Sequence, residues 1–236
     1  MKKLLIPAAL AAMALSPIAT AQTRGSDTYR PDLQTGDGHG FIAGNVGRTD
    51  GGSATRFGTG DFNLFESREG RKTGYGLAGG YRWKVSPMWA VGVEGGYTDL
   101  GNLEISNAFS DDSVDQREDT NALRGWHAGA NARVNLTPAW YVGLRGGYFR
   151  ASDNNARYYN RIGEELRLES GRRDGRNSWY AGVGTGWNVT DRFSLGVHYD
   201  YFRAKSGDLR DPDTGIEFEG PKRSTALLSL TGEYTF

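Results

Sequence analysis

One nine-residue phrase recurs three times and limits what this chain can fold into: WAVGVEGGY at 89–97, WYVGLRGGY at 140–148 and WYAGVGTGW at 179–187. Successive side chains of a β-strand point to opposite faces, so each phrase places its aromatic ends and its aliphatic residues on one face. The other face carries mostly glycine, with Glu94 in the first phrase and Arg145 in the second. Each phrase is therefore predicted to be a strand with one apolar and one polar face.

The same alternation recurs along most of the remaining chain. It fills 73–85, 125–136, 192–202 and 226–236, and 40–48 supplies an eighth strand whose facing the alternation does not decide. Strands of about ten residues are long enough to cross a bilayer at a tilt of roughly 45°. The predicted fold class is all-β, an eight-stranded antiparallel up-and-down transmembrane β-barrel over residues 39–236.

A soluble barrel of the lipocalin type also alternates, with its apolar face inward, so further features must separate the two classes. The connections alternate between tight turns and long polar segments near 49–72, 99–122, 151–177 and 203–224. Membrane barrels have this division into short periplasmic turns and long external loops. The abundant glycines on the polar face also suit the narrow interior of an eight-stranded barrel.

The tryptophans favour the membrane class as well, because all 6 lie near predicted strand ends. Two membrane–water interfaces select two levels of aromatic residues, whereas a soluble core does not. The predicted girdles are Trp83, Trp89, Trp140 and Trp187 beside the short turns, and Trp126 and Trp179, with Tyr75, Tyr97 and Tyr148, at the opposite ends.

Residues 1–21 are predicted to be a cleaved signal peptide, with Lys2 and Lys3, a short apolar run and Ala19-Thr20-Ala21. Residues 22–38 are polar and Gly-rich, and are expected to be a mobile periplasmic N-terminal tail. Loss of the two lysines leaves 26 basic against 28 acidic residues, which does not favour a nucleic-acid partner. Without cysteine the chain can form no disulfide and no thiolate site.

Polar residues on the inward faces are predicted to fill the lumen with a hydrogen-bonded ionic network, since buried charges must be paired. A lower layer is expected to contain Arg82, Arg133 and Glu233. A middle layer is expected to contain Glu94, Asn131 and Arg145, with Glu94 paired to Arg145. His198 and Asp200, together with His127, are expected higher in the lumen.

The chain resembles the small eight-stranded outer-membrane barrels, namely the OmpA-like transmembrane domain and its OmpX-like relatives. The resemblance covers 39–236 and rests on GFIAG in the first strand, the G-x-x-G-G-Y endings, the tight turns and the terminal Gly-Glu-Tyr-Thr-Phe. It implies a barrel in the cell outer membrane, in contact with outer-membrane lipid and lipopolysaccharide. Tyr234 and Phe236 are similar to the family's C-terminal signal for the barrel-assembly machinery.

The expected function is a structural or surface-interaction role of a monomer, exercised through the extracellular loops, with no catalysis and no cofactor. Two alternatives stay open: a lipid A-modifying barrel enzyme and a narrow channel. His198 and Asp200 share a face and could orient a catalytic base, but no Ser stands two residues from a His on the lipid-facing side. The sequence has no metal motif. The arginines of 151–177 could bind lipopolysaccharide phosphates or a host surface.

Overall fold

The computed structural model describes residue 30 and residues 32–50, 53–54, 64–66, 72–107, 117–152, 167–168, 178–205, 209–210, 215, 217–218 and 222–236. The predicted signal peptide lies outside these residues. The long strands are β1 (Gly38–Thr49), β2 (Thr73–Lys84), β3 (Trp89–Asn107), β4 (Arg117–Asn135), β5 (Trp140–Ser152), β6 (Trp179–Asn188), β7 (Phe193–Lys205) and β8 (Lys222–Thr235). In the described part of the chain, no helix is long and apolar enough to cross a bilayer.

Each long strand pairs antiparallel with the next, and the last pairs with the first. The closing seam runs from the pair Phe41 and Thr235 to the pair Thr49 and Leu227. The result is a closed antiparallel barrel of eight strands, which confirms the predicted fold class.

The facing of β1, which the sequence left undecided, follows from burial. Ile42 and Val46 are 46% and 54% exposed, whereas Phe41 is buried at 3%. Even-numbered residues of β1 therefore face outward and odd-numbered residues face the lumen.

Three tight turns at one end of the barrel share one local design. Ser86, Thr137 and Thr190 each use their side-chain oxygen to accept a hydrogen bond from the backbone N–H of an aromatic residue three positions later. The carbonyl of that aromatic residue in turn accepts the N–H of the hydroxyl residue. Such hydroxyl-capped turns fix the register of a hairpin. The aromatic residues so placed, Trp89, Trp140 and Phe193, begin β3, β5 and β7.

The hairpin of β3 and β4 extends much further than the sequence suggested, since each strand has 19 residues. Residues 99–107 and 117–124 pair as strands after a register shift between Asp99 and Asn102, so the prediction of a polar loop over 99–122 is wrong for most of its length. Leu103 and Ile105 alternate with Glu104 and Ser106, which is typical of a strand. The many charged residues of the segment had favoured a loop instead. The short strand Leu64–Glu66 pairs with residues 105–107 of β3.

Mainly apolar side chains fill the lumen near the ends of the long connections, although Arg223 and Thr225 of β8 are also buried at this level. The side chains that meet there are Leu100, Leu123, Phe149, Ala151, Tyr180, Phe202, Ala204 and Leu227, none more than 2% exposed. Phe149 packs edge-on against Phe202 with ring centroids 5.1 Å apart, and Tyr180 stacks on Phe202 at 5.9 Å. We call these eight residues the apolar plug. Only polar residues were expected in the lumen, so this largely apolar region is a finding of the structure.

Candidate functional site in the barrel lumen

The barrel wall sorts side chains by polarity between its two faces. Val91 and Leu144 are 39% and 49% exposed on the outside, whereas Glu94 is only 8% exposed and points inward. A barrel that exposes its aliphatic residues and buries its charges has the polarity expected of a protein surrounded by lipid. The ionic residues inside are therefore the candidate functional site.

Glu233 is the centre of a buried cluster near the tight turns. Its carboxylate accepts hydrogen bonds of 2.8 and 3.1 Å from the guanidinium of Arg82, and one of 2.7 Å from Arg133. Arg133 also donates to Ser194 at 2.8 Å and to Asn188, and its guanidinium lies 3.6 Å from the centroid of the Tyr141 ring. The structure thus brings together the three residues expected in the lower layer.

The middle layer differs from its prediction. Arg145 makes a bidentate ion pair with Asp200, with bonds of 2.7 and 2.6 Å, and not with Glu94. Glu94 instead accepts a hydrogen bond of 2.8 Å from the hydroxyl of Tyr180. Asn131, the third residue assigned to this layer, accepts a bond of 2.8 Å from Arg82 Nε and so belongs to the Glu233 cluster.

Glycines explain which partners meet. Arg145 and Asp200 lie on β5 and β7 and are both cross-strand neighbours of Gly182 on the strand between them. A Cβ atom at Gly182 would collide with the Asp200 carboxylate. Because Gly182 has no side chain, the ion pair spans the gap across it. This gives the glycines of the repeated phrase a physical role.

Tyr180 and Glu94 also meet across glycines, but over a longer distance. These residues lie in one cross-strand row in which Gly129 and Gly147 occupy the two strands between them. A Cβ atom at Gly129 would lie 2.6 Å from the Tyr180 hydroxyl oxygen. Neither Tyr180 nor Tyr141 was singled out from the sequence, although both occupy the inward second position of a repeated phrase.

His198 does not pair with Asp200, although the two share the inward face of β7. Both ring nitrogens of His198 are buried and have no hydrogen-bond partner among the described residues, and the Asp200 carboxylate is bound to Arg145. For His127, the other histidine expected high in the lumen, the distance from Nδ1 to the Thr98 hydroxyl oxygen is 3.4 Å, and the ring packs against Tyr180. Among the described residues, no group of three or more His, Asp or Glu side chains could hold a metal ion.

A small cavity of about 40 Å³ remains between these groups. Its lining includes Arg82, Glu94, Asn131, Arg133, Arg145 and His198. A site for one water needs about 10–15 Å³ of such volume, so the cavity has room for about three waters and not for a larger solute.

The described part of the N-terminal segment, residue 30 and residues 32–38, contacts the tight-turn end, and the rest of the tail expected over 22–38 lies outside the described residues. Lys84 is buried and donates hydrogen bonds to the carbonyl oxygens of Arg30 and Leu33 at 3.0 and 2.8 Å. Arg30 binds both carboxylate oxygens of Asp32 and donates to the Thr235 hydroxyl at 3.3 Å. The Arg30 guanidinium therefore holds the pKa of Asp32 below its usual range.

The predicted girdle residues lie on the outer face at the two ends of the wall. At the tight-turn end, Trp140 is the cross-strand neighbour of Trp187, and both are exposed. At the opposite end, Trp126 packs edge-on against Tyr97 with ring centroids 5.2 Å apart. Of the remaining tryptophans, Trp89 and Trp179 begin their strands and Trp83 is the last residue but one of β2, all at the expected levels.

The residues assigned to the assembly signal are accessible from outside. Tyr234 and Phe236 are 44% and 63% exposed, and their rings lie 6.5 Å apart. The Phe236 N–H donates to the Gly40 carbonyl at 3.1 Å, which attaches the last residue to β1. The Phe236 ring occupies the space that a Cβ atom at Gly40 would take.

Comparisons with solved structures return small barrels. Ail, the attachment invasion locus protein of Yersinia pestis, is 14% identical with a TM-score of 0.41, and the match covers 86% of this chain and 100% of that one. OprG from Pseudomonas aeruginosa is 8% identical with a TM-score of 0.44, over 86% and 99%. The outer membrane protease OmpT from Escherichia coli is 14% identical with a TM-score of 0.39, over 84% and 97%.

A search of curated protein sequences finds no match. The model of one protein family does match, and it covers residues 8–231, which include seven of the long strands and most of β8. This chain belongs to the outer membrane protein beta-barrel domain family.

Proposed function

We propose that this outer-membrane barrel is a non-catalytic monomer that acts through its extracellular segments, in envelope structure or in contacts with other surfaces. The observation that carries the proposal is the filled lumen. The Glu233 cluster, the Arg145–Asp200 pair and the apolar plug follow one another along the interior. A barrel filled in this way is a rigid support for whatever its long connections present.

The narrow-channel alternative receives less support, because an ion would have to cross the apolar plug. In planar bilayers, we expect the purified barrel to give no conductance steps above the baseline, since an apolar constriction opposes ion entry. A larger porin inserted under the same conditions is the positive control. Reproducible steps from the wild-type barrel would contradict the proposal of a closed lumen.

The enzyme alternative also receives less support from the lumen. Catalysis by a His–Asp pair requires the acid to orient the imidazole, whereas Asp200 here binds Arg145 and not His198. The exposed outer face near the lipid carries mainly aliphatic and aromatic side chains. Altered acyl chains in lipopolysaccharide incubated with the purified barrel would overturn the non-catalytic assignment.

The surface role is tested by loop replacement in cells. Residues 154–176, between β5 and β6, are replaced by a Gly-Ser linker, and the strain is compared with wild type and with a full deletion. A surface-interaction role predicts that the linker variant folds and keeps envelope integrity but loses surface binding, because loops carry specificity and the barrel carries stability. If only the full deletion has an effect, and that effect is detergent sensitivity, the role is structural. If neither strain differs from wild type in adhesion, serum resistance or detergent sensitivity, the proposal is wrong.

A further inference from the structure

One pairing of the eight long strands differs from the others. Consecutive strands of the chain form the other pairs, whereas the closing seam joins β1 to β8, the first and last long strands. An opened seam would leave two rows of backbone N–H and C=O groups without partners, and lipid supplies none. Opening must therefore start at an end of the seam, where water can bind the separated groups.

At the end next to the long connections, Asp50 holds the seam. Its carboxylate accepts hydrogen bonds of 3.0 Å from the Thr225 hydroxyl and 3.1 Å from the Ala226 N–H, both on β8. Its own N–H donates to the Ala226 carbonyl at 3.0 Å. The residue that follows β1 thus binds β8 beyond the last register pair, Thr49 and Leu227.

At the tight-turn end, the register between β1 and β8 stops before β1 does. β1 begins at Gly38, which pairs with Trp83 of β2. Its register with β8 begins only at Phe41 and Thr235. The first three residues of β1, 38–40, therefore lie beyond that register.

Residue 30 and residues 32–37, which we call the clasp, lie beside this end of the seam. Within the clasp the Asp37 N–H donates to the Gln34 carbonyl at 3.0 Å, and Gly36 between them has a φ of +103°. A four-residue turn with positive φ at its third residue favours glycine there. This turn reverses the chain just before β1 and brings Arg30 back to the barrel wall.

Arg30 spans the seam. Its guanidinium donates to the Thr235 hydroxyl on β8 at 3.3 Å, and its carbonyl accepts a hydrogen bond of 3.0 Å from the Lys84 ammonium on β2. Because β1 lies between these two strands, one residue connects both neighbours of the first strand. Arg30 and Lys84 are only 5% and 1% exposed. Arg30 also has a φ of +48°, which residues other than glycine seldom adopt and which persists only where surrounding contacts fix it.

We propose that the clasp is a lock, completed once the barrel has closed, that prevents β1 and β8 from separating at the tight-turn end. The contact between Arg30 and Thr235 needs a closed seam, because 205 positions separate the two residues in the sequence. Contacts that form after the folding transition state slow unfolding and leave the folding rate unchanged. The clasp goes beyond the proposed surface role and does not depend on it.

The first test compares unfolding and folding rates in lipid vesicles, followed by tryptophan fluorescence. In R30Q/K84M we expect the unfolding rate to rise about tenfold and the folding rate to change by less than about twofold. An unchanged unfolding rate, or a loss of stability that appears in the folding rate alone, overturns the proposal. If the double variant does not fold, the single variants decide, each with an expected increase in the unfolding rate of about threefold.

A disulfide across the seam tests whether the clasp acts on the seam itself. Gly44 of β1 and Gly232 of β8 are cross-strand neighbours, and a Cβ atom at either would meet no atom closer than 3.8 Å. The Cα atoms of such neighbours lie about 4.5–5.5 Å apart, which a disulfide can bridge, and the chain has no cysteine of its own. In oxidised G44C/G232C the seam cannot open, so adding R30Q/K84M should raise the unfolding rate by less than about twofold.

The matched control is a disulfide between two consecutive strands. Gly79 of β2 and Gly95 of β3 are also cross-strand neighbours, and a Cβ atom at either would meet no atom closer than 3.4 Å. In oxidised G79C/G95C, adding R30Q/K84M should still raise the unfolding rate about tenfold, because the seam remains free to open. An equal increase in both cross-linked barrels would show that the clasp does not act on the seam, and the proposal would be wrong.

Discussion

Substituting Glu233 by Gln should destabilise the barrel more than any other single change in its lumen. Removing one partner of a buried ion pair costs about 3–5 kcal/mol, because the remaining charge is left uncompensated. Here one carboxylate faces two guanidinium groups, those of Arg82 and Arg133, so the free energy of unfolding should fall by at least that amount. The measurement is denaturant unfolding in lipid vesicles, followed by tryptophan fluorescence.

A double-mutant cycle separates this electrostatic effect from simple loss of packing. Arg82→Met should also destabilise the barrel, but R82M/E233Q should lose less than the sum of the two single variants, since residues in one network couple by about 0.5–3 kcal/mol. Strict additivity would show that the charges do not depend on each other. The exposed Asp191, substituted by Asn, is the control and should change stability by less than about 0.5 kcal/mol.

Substituting Asp200 by Asn should have the second-largest effect. The Asp200 side chain is fully buried and holds Arg145 by two hydrogen bonds, so its loss leaves one buried guanidinium without the carboxylate that binds it. The expected decrease in the free energy of unfolding is about 3–5 kcal/mol. The same vesicle assay measures it.

Glu94→Gln is the matched control for Asp200→Asn, because both remove a buried carboxylate from the lumen. Glu94 receives a hydrogen bond from Tyr180 and does not hold Arg145, so its substitution should cost only about 1–3 kcal/mol. If Glu94→Gln proves more damaging than Asp200→Asn, then Arg145 depends on Glu94, and the partner assignment given above is wrong.

The sequence was sufficient to predict the architecture, because apolar and polar residues alternate with a period of two on nearly every strand. Only for β1 did this alternation not show which residues face outward. The Glu233 cluster could also be anticipated. Arg82 and Arg133 lie only a few residues from a tight turn, and Glu233 lies a few residues from the end of β8 at the same end of the barrel, so counting residues introduces little error. The turns themselves have a recognisable chemistry, with Ser or Thr three residues before an aromatic residue.

The partner of Arg145 could not be obtained in this way. Counting residues upward compares heights on successive strands, whereas side chains meet along cross-strand rows that tilted strands carry upward around the barrel. Arg145 therefore reaches Asp200, which lies two strands away across Gly182. It does not pair with Glu94, although both lie about the same number of residues above the tight turns. The sequence does contain a useful signal, since an inward-facing glycine marks a gap that a long side chain on a neighbouring strand can cross. To use this signal one must know which residues are cross-strand neighbours, and the sequence alone does not supply that register.

The apolar plug also bears on how the barrel stands in its surroundings. The plug lies at and above the upper aromatic level, where Leu100 and Leu123 belong to strands that continue well past the girdle. Sheet that leaves the lipid loses the acyl chains that cover its outer face, and it then depends on its own interior for cohesion. The described barrel just beyond the upper aromatic level has such an interior. The sheet there can keep its shape without lipid around it, so it holds the bases of the connecting segments at fixed positions.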